Sequence, residues 1–344
     1  MRILIAKLSS FGDVIHTFPA LTDLKAARPE IEVDWLVEEA YAPLVRRHPG
    51  VAAVHEVALR RLRWPPARWP ALIRHRRELR TALRARHYDV VLDVQGLWKS
   101  ALLSRLADAP IVGFDRESTR EPSAAKLYQK HLRLGGHPHV VEQLRRFFAE
   151  AIGYPVPRGR GRAGLARPRG RPAIALPERY GLIVHGAAWP TKLWAEERWR
   201  TLIDRLAATG RAVALPWGDV EERRRAARLA DGIAGALPLS RKLDGEEVAE
   251  LVAAADFAIG IDTGLMHLAA AFDVPGVTLF GPTDANYATP YGTNQRAVSS
   301  DHLDAPCQQV RCTREAHGQC CMREVDAEEV WSAVTAMLSE QATA

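Results

Sequence analysis

Residues 7–16 read KLSSFGDVIH, and residues 260–271 read GIDTGLMHLAAA. In both stretches, an apolar run ends in small residues, hydroxyls and one carboxylate, and a helical pattern follows. Such a turn joins a β-strand to a helix in an open α/β sheet, where ligands bind outside the carboxyl ends of the strands. Because each half of the chain has one such turn, we expect one crevice with two walls.

Short runs of apolar residues alternate with stretches that have helical periodicity, and this alternation forms two series along the chain. The predicted strands are residues 3–6, 33–37, 53–57, 90–94 and 111–113 in the first series, and residues 182–185, 212–215, 257–261 and 277–280 in the second. Between the first two strands of the second series, residues 197–209 have the pattern of an amphipathic helix, with Gly210 at its expected end. Two βαβα series predict two Rossmann-like, doubly wound α/β domains.

The length of 344 residues also favours two domains. We predict an N-terminal domain over residues 1–154, a C-terminal domain over residues 178–322, and a terminal segment at 323–344. Residues 155–177 are rich in Pro, Gly and Arg and predict a linker. The linker contains Gly159-x-Gly161-x-x-Gly164, but no predicted strand precedes this spacing and no helix follows it, so we do not expect NAD binding.

Composition restricts the class of protein. No apolar run approaches the roughly 20 residues of a membrane helix, and the apolar run at residues 3–6 is too short for a signal peptide, so we expect a soluble chain in the cytosol. The formal net charge of +6 favours an anionic partner.

Residues 60–86 contain ten arginines and one acid. Arg74, Arg77, Arg80 and Arg84 recur at helical spacing, which is typical of a solvated helix face. Arg60, Arg61 and Arg63 instead follow a predicted strand and precede two prolines, so we expect them on a loop where a guanidinium can bind phosphate or carboxylate.

Four cysteines, Cys307, Cys312, Cys320 and Cys321, lie within fifteen residues. Their spacing lacks the paired C-x2-C knuckles of most structural zinc sites, and a cytosolic chain rarely forms disulfides. We therefore favour a buried, reduced cluster over a zinc site.

The first turn places Asp13 at the start of a helix. An Asp there commonly caps the helix, but Ser9, Ser10 and Gly12 beside it also suit a general base that faces a ligand. Both interpretations remain open on the residues alone.

The second turn suits a diphosphate. Gly264 leaves the first helix amides uncovered, and His267, one turn on, is either a phosphate ligand or a core histidine. A further turn at residues 281–284 and Lys192 are predicted at the same edge of the sheet. No Asp-x-Asp occurs, so charge on a nucleotide diphosphate would be met by Lys192, His267 and helix amides.

These turns, together with residues 3–24, 34–39, 93–100, 120–122 and 215–218, resemble the lipopolysaccharide heptosyltransferase I family within glycosyltransferase family 9. The resemblance extends from Met1 to about Arg296. It implies a GT-B fold, in which two Rossmann-like domains face each other across a cleft and a C-terminal helix crosses back to the first domain. It also implies inverting, metal-independent transfer of L-glycero-D-manno-heptose from ADP-heptose to Kdo-lipid A, without a cofactor, in lipopolysaccharide core biosynthesis.

The resemblance assigns roles to individual residues. Asp13 matches the catalytic base, which takes a proton from a Kdo hydroxyl. The donor positions are Ala187, Ala188, Lys192, Glu222, Leu243, Asp262, Thr263, Gly264 and His267; the acceptor positions are Ser10, Gly12, Arg60, Arg61, Arg63 and Arg120. We further expect a monomer, peripheral at the cytoplasmic face of the inner membrane, that binds no nucleic acid.

Some residues depart from the family pattern. Ala187 and Ala188 replace hydroxyl residues, so only backbone amides remain for phosphate there, while Leu243 replaces a methionine beside adenine and keeps an apolar contact. The cysteine-bearing segment resembles the wider heptosyltransferase family, which leaves a relative acting on a later core sugar as an alternative. A nucleotide-sugar epimerase of the same fold would not need Arg60, Arg61 and Arg63, and an RNA or membrane-surface binder would not need Asp13.

Overall fold

Both halves of the chain are built around a six-stranded, all-parallel sheet. The computed structural model describes residues 1–59, 69–312 and 320–343. Contacts divide the chain into a first unit, Met1–Ala166, and a second unit, Arg167–Ala344.

The first sheet has the strand order β3-β2-β1-β4-β5-β6. Its strands are β1 (Arg2–Ala6), β2 (Glu32–Glu38), β3 (Ala53–Val57), β4 (Val90–Asp93), β5 (Ile111–Phe114) and β6 (Lys130–Leu132). The helices of this unit are α1 (Phe11–Ala27), α2 (Ala42–Arg46), α3 (Trp69–Ala85), α4 (Trp98–Ser104) and α5 (Val140–Ile152). The central strand β1 is apolar and buried because helices cover both faces of a parallel sheet.

The second sheet has the order β12-β11-β10-β7-β8-β9 and so repeats the connectivity of the first. Its strands are β7 (Gly181–Val184), β8 (Val213–Leu215), β9 (Ala236–Pro238), β10 (Phe257–Ile261), β11 (Gly276–Phe280) and β12 (Gln295–Ser299). The helices are α6 (Glu196–Ala208), α7 (Val220–Ala230), α8 (Gly245–Ala253), α9 (Gly264–Ala271), α10 (Ala285–Ala288), α11 (Cys320–Arg323) and α12 (Ala327–Thr343).

The strands and the amphipathic helix predicted from hydrophobic periodicity are present. Helix α6 buries Trp199, Leu202, Ile203 and Leu206 on one face, and Gly210 just beyond it has a φ of +78°. The sequence pattern missed β6, β9 and β12, each of which forms an edge of its sheet. Edge strands are partly exposed and therefore lack the continuous apolar run that marks a buried parallel strand.

The segment between α5 and β7 contains no helix or strand, and the boundary between the two units falls within it, after Ala166. Its glycine spacing is preceded by no strand and followed by no helix, as expected. The segment is nevertheless anchored: the buried Arg145 guanidinium donates hydrogen bonds to the carbonyls of Gly159 (2.8 Å) and Pro157 (3.2 Å).

The final helix, α12, packs against β11, β12 and α6 of the second unit. Its approach to the first unit stays a prediction, as do the domain boundaries at residues 154, 177 and 322. Of the helices in the described ranges, none is long and apolar enough to cross a membrane.

Candidate active-site residues in the two units

Asp13 lies in the first turn of α1, beyond the carboxyl end of β1. The backbone amide and the hydroxyl of Ser10 both donate to Asp13 Oδ2, at 2.9 and 2.8 Å. The bond from the amide belongs to a capping box, in which Ser10 is the N-cap and Asp13 the third helix residue. Asp13 Oδ1 lies 4.0 Å from Lys7 Nζ, and the aspartate side chain is 35% exposed. The helix cap therefore occupies one carboxylate oxygen and leaves the other beside a cation.

Asp13 is held in its ionised form. Burial alone would raise the pKa of this carboxyl, but the charges of Lys7 and His16 and the hydrogen bonds from Ser10 lower it to about 2. The group is thus fully deprotonated at neutral pH, as a base must be.

The loop that carries Ser9 and Ser10 is fixed by residues after β4. Gln95 Oε1 accepts from the amides of Leu8 and Ser9, both at 3.0 Å, and Lys7 Nζ donates to the Val94 carbonyl at 2.9 Å. Lys99 Nζ donates to Ser9 Oγ at 3.3 Å. Sequence reasoning did not select Lys7, Gln95 or Lys99 as site residues, although residues 93–100 were among the motifs that carried the resemblance.

Asp93 is a second carboxylate at this edge of the sheet, and it is fully buried. Its Oδ1 accepts from the amides of Gln95 (3.0 Å) and Gly96 (3.3 Å). Burial raises the pKa of Asp93 to about 6, against the effect of those hydrogen bonds. Asp93 therefore shapes the turn that bears Lys99 and is a poorer candidate than Asp13 for a permanently ionised base.

The predicted acceptor residues are only partly described. Ser10 is the N-cap residue of the capping box, and Gly12 lies in the first turn of α1. Arg120 is exposed, and its amide lies beside the Gly96 turn. Burial lowers the pKa of Lys7 against the charges of Asp13 and Asp93, and the charges of Arg120 and Lys99 lower it further, so the three cations lie near one another. Arg60, Arg61 and Arg63 lie outside the described residues.

In the second unit, Asp262 follows β10 and connects three of its neighbours. Its Oδ2 accepts from Lys192 Nζ at 2.6 Å and from Thr283 Oγ1 at 2.8 Å, and its Oδ1 lies 3.4 Å from His267 Nε2. The Lys192, Asp262 and His267 side chains are only 16%, 8% and 5% exposed. We call these four residues the Asp262 cluster.

The electrostatics of the Asp262 cluster favour its charged form. Burial would raise the pKa of Asp262, but the hydrogen bond of His267 and the charge of Lys192 hold it well below its ordinary range. The Lys192 ammonium also lies 4.9 Å from the centre of the Trp189 ring, a cation–π distance. These contacts fix the ammonium at the carboxyl edge of the sheet.

Helix α9 begins at Gly264, directly after Asp262 and Thr263. The Thr263 side chain makes no capping hydrogen bond to the helix. Its hydroxyl does not occupy the first amides, which suits an anion at this helix start. His267 is buried one turn further on and its Nε2 faces Asp262 Oδ1, so it is a core histidine, and its contact with a phosphate stays a prediction.

The other predicted donor residues follow β7, β8 and β9. Glu222 Oε2 accepts from the Gly218 amide at 2.7 Å, and its carboxylate packs so closely on Gly186 that a Cβ at that glycine would clash. Ala187 and Ala188 come directly after Gly186, while the buried Leu243 lies beyond β9, at the outer end of the same edge. All nine predicted donor positions thus follow the carboxyl ends of strands in one sheet.

Comparison with known proteins identifies the family. The model of glycosyltransferase family 9 (heptosyltransferase) matches residues 76–317. The chain belongs to glycosyltransferase family 9.

Individual relatives cover nearly the whole chain. Lipopolysaccharide heptosyltransferase 1 of Pseudomonas aeruginosa is 44% identical over 316 residues, which are 91% of this chain and 88% of the relative. Escherichia coli heptosyltransferase WaaC, solved with ADP, is 37% identical with a TM-score of 0.82, covering 98% of this chain and 100% of that one. The same enzyme with ADP-2-deoxy-2-fluoro heptose has a TM-score of 0.78 at 37% identity and covers 99% and 100%.

These comparisons confirm the predicted family and the GT-B fold class of two Rossmann-like domains. They also show that the chain is a glycosyltransferase enzyme.

The cysteines of this family 9 glycosyltransferase are described in part. Cys307 and Cys321 have their Sγ atoms 3.8 Å apart, and the Cys320 side chain and residues 313–319 lie outside the description. Over the described ranges, no group of three or more His, Cys, Asp or Glu residues is placed to hold a metal ion.

Proposed function

We propose that this family 9 glycosyltransferase transfers L-glycero-D-manno-heptose from ADP-heptose to Kdo-lipid A in lipopolysaccharide inner-core biosynthesis, with inversion and without a metal. The Asp262 cluster carries the proposal, because it fixes the largely enclosed Lys192 ammonium and the buried His267 beside a helix start that lacks a side-chain cap. The likeness to WaaC, which was solved with ADP and with an ADP-heptose analogue, supports the identity of the donor.

The proposed donor site explains how the leaving group departs. Breaking the bond to heptose C1 places additional negative charge on the ADP diphosphate, which needs pre-positioned positive partners. Lys192, His267 and the first amides of α9 supply them. Asp262 would repel a phosphate, and its oxygens already face Lys192, Thr283 and His267, so we assign it the role of positioning those residues.

Asp13 is the proposed base. Its carboxylate takes the proton from the Kdo hydroxyl as that oxygen attacks C1 from the face opposite the diphosphate. A carboxylate with a pKa of about 2 is a weak base, so we expect proton transfer to occur late in the attack, when the hydroxyl has become acidic.

The acceptor is proposed to bind through its anionic groups. Lys7, Lys99 and Arg120 place positive charge around Asp13, which suits the carboxylate of a Kdo sugar. Arg60, Arg61 and Arg63 extend this assignment on the basis of the family resemblance. We further propose that the enzyme acts as a monomer at the cytoplasmic face of the inner membrane.

One assay tests the proposed function. Purified protein is incubated with ADP-heptose and either Kdo-lipid A or the same acceptor already carrying one heptose, and the lipid products are weighed by mass spectrometry. We expect a gain of one heptose on Kdo-lipid A alone, with full activity in excess chelator. A product only from the heptosylated acceptor would indicate an enzyme for a later core sugar. Consumption of UDP-N-acetylglucosamine without any acceptor would indicate an epimerase.

A further inference from the structure

Two helices of the first unit carry the same unusual pattern on their outer surfaces. On α3, Ile73 is followed at helical spacing by Arg76, Arg80 and Arg84. On α4 and its 3₁₀ continuation, Trp98 and Leu102 are followed by Arg105. Each stripe is therefore apolar at its beginning and cationic further along.

A groove of about 640 Å³ lies between the two stripes. Arg76, Arg80, Arg84 and Arg105 line it together with Leu102, and its one acidic lining residue, Asp108, lies 3.0 Å from Arg84. In the described part of the chain, Arg76, Arg80 and Arg105 have no ion pair. Since like charges four residues apart on a helix repel each other, this arrangement favours an external anion.

The apolar ends of the stripes are exposed. Ile73 is 54% exposed, Leu102 48% and Trp98 38%, in a unit whose other large apolar side chains are mostly buried. The Trp98 ring is held in place, because its Nε1 donates to Ser123 Oγ at 2.9 Å. Exposed Ile, Leu and Trp beside arginines are typical of surfaces that enter the headgroup region of a bilayer.

The two stripes also run in a common direction. Both α3 and α4 begin after the carboxyl ends of parallel strands, β3 and β4. The apolar ends of both stripes therefore lie towards the edge of the sheet where Asp13 is found. A membrane surface touching them would present a lipid-anchored substrate at that edge.

We infer that this striped surface, formed by Ile73, Arg76, Arg80, Trp98, Leu102 and Arg105, docks the enzyme on an anionic lipid bilayer. The charge and polarity of this surface complement those of a bilayer, because anionic headgroups would contact the arginines and the apolar layer beneath would receive the aliphatic and indole side chains. RNA would meet the arginines but would leave Ile73 and Leu102 in water. The inference goes beyond the proposed function but rests on it for the membrane-anchored acceptor.

Vesicle sedimentation tests the docking surface. The full chain is mixed with vesicles of phosphatidylcholine, with or without phosphatidylglycerol, at low and high salt. Each basic side chain near an anionic surface contributes about a fivefold factor in partitioning. The triple variant Arg76→Gln/Arg80→Gln/Arg105→Gln should thus bind anionic vesicles roughly a hundredfold more weakly. The variant Ile73→Ser/Leu102→Ser should bind vesicles more weakly than the wild type at low and at high salt, because its loss is apolar and high salt screens only the charges.

A matched variant controls for net charge. Arg158, Arg169 and Arg311 are exposed elsewhere, and Arg158→Gln/Arg169→Gln/Arg311→Gln removes the same charge. It should lose much less binding. Equal losses of vesicle binding in the two triple variants would overturn the inference. It would also be overturned if vesicle binding by the wild type did not depend on phosphatidylglycerol. The inference would also be overturned if the wild type bound single-stranded RNA more tightly than vesicles and the first triple variant lost this RNA binding.

Activity on a soluble acceptor separates this inference from the proposed function. With a deacylated Kdo-bearing acceptor, the first triple variant should keep wild-type turnover and an unchanged thermal midpoint, while losing activity on acceptor in vesicles. Vesicle binding by a wild-type protein that transfers no heptose would contradict the proposed function and leave the docking surface supported.

Discussion

Asp262 shows how one carboxylate organises a site. The sequence placed it in a turn suited to phosphate, and the structure surrounds its two oxygens with Lys192, Thr283 and His267. Its position in the chain was thus predictable, but its role as the partner of the Lys192 ammonium depends on a residue 70 positions away in the sequence.

We predict that Asp262→Asn destabilises the protein by about 3 kcal/mol at pH 7, because the Lys192 ammonium loses its counter-charge. The folded-state pKa of Asp262 lies below its unfolded value, so its stabilisation is complete above about pH 5 and is lost progressively as the pH falls further. Urea unfolding at pH 7 and at pH 3.5 should show a smaller difference between wild type and variant at the lower pH. An equal difference at both pH values would contradict this assignment.

Asp13 combines a helix cap with the proposed base, and Asp13→Asn separates the two roles. Asn can still accept a hydrogen bond from the Ser10 amide but cannot take a proton, so transfer should slow by about 10³-fold, while stability should fall by about 1–2 kcal/mol because Lys7 loses a counter-charge. ADP-heptose binding, measured by calorimetry, should stay unchanged. Asp108→Asn serves as a control that removes an exposed acid of the same unit and should keep full activity. Normal turnover by Asp13→Asn would exclude this residue as the base.

Individual elements differ in how far their sequence reveals them. Central strands such as β1 and β10 are continuous apolar runs, because both faces of a parallel sheet are covered. The edge strands β6, β9 and β12 are short and partly exposed, and only their pairing with a neighbouring strand defines them. The segment after α5 is similar: its composition predicts a linker, but its anchoring depends on Arg145.

We predict that Arg145→Met destabilises the first unit by about 3–5 kcal/mol, because Asp23 and Glu142 lose their buried cation. The segment near Pro157 and Gly159 also loses its anchor and should be cut faster in limited proteolysis. The neighbouring Arg146 is exposed and donates to the Gly136 carbonyl, so Arg146→Met is a matched control that should change little. Similar losses in both variants would contradict the anchoring role.

At the scale of the whole molecule, the proposed functions divide between the units. The proposed base, Asp13, belongs to the first unit, and every predicted donor residue belongs to the second. We therefore expect donor binding and proton transfer to be separable in this chain.

We predict that residues 167–344, expressed alone, fold and bind ADP within about threefold of the full chain, a difference below 1 kcal/mol. Calorimetry measures the affinity, and circular dichroism checks that the fragment is folded. Lys192→Met should weaken binding equally in the fragment and in the full chain. A folded fragment without ADP affinity would show that the first unit supplies donor contacts.

The sequence by itself determined the features that depend on neighbours along the chain. Hydrophobic periodicity predicted the central strands and α6, and the composition of the two turns identified Asp13, Asp262 and the start of α9. These signals are local, because a strand, a helix or a turn is specified within a few residues.

Only the tertiary structure decided which distant groups meet. Lys192 and Asp262 are 70 residues apart, and Lys99 is 90 residues from Ser9, yet each pair is hydrogen-bonded. Strand order, edge strands and the partners of buried charges all arise when remote segments pack together. The physical reason is that burial and charge compensation act through space, so a carboxylate can receive its counter-charge from a remote segment, as Asp262 does from Lys192.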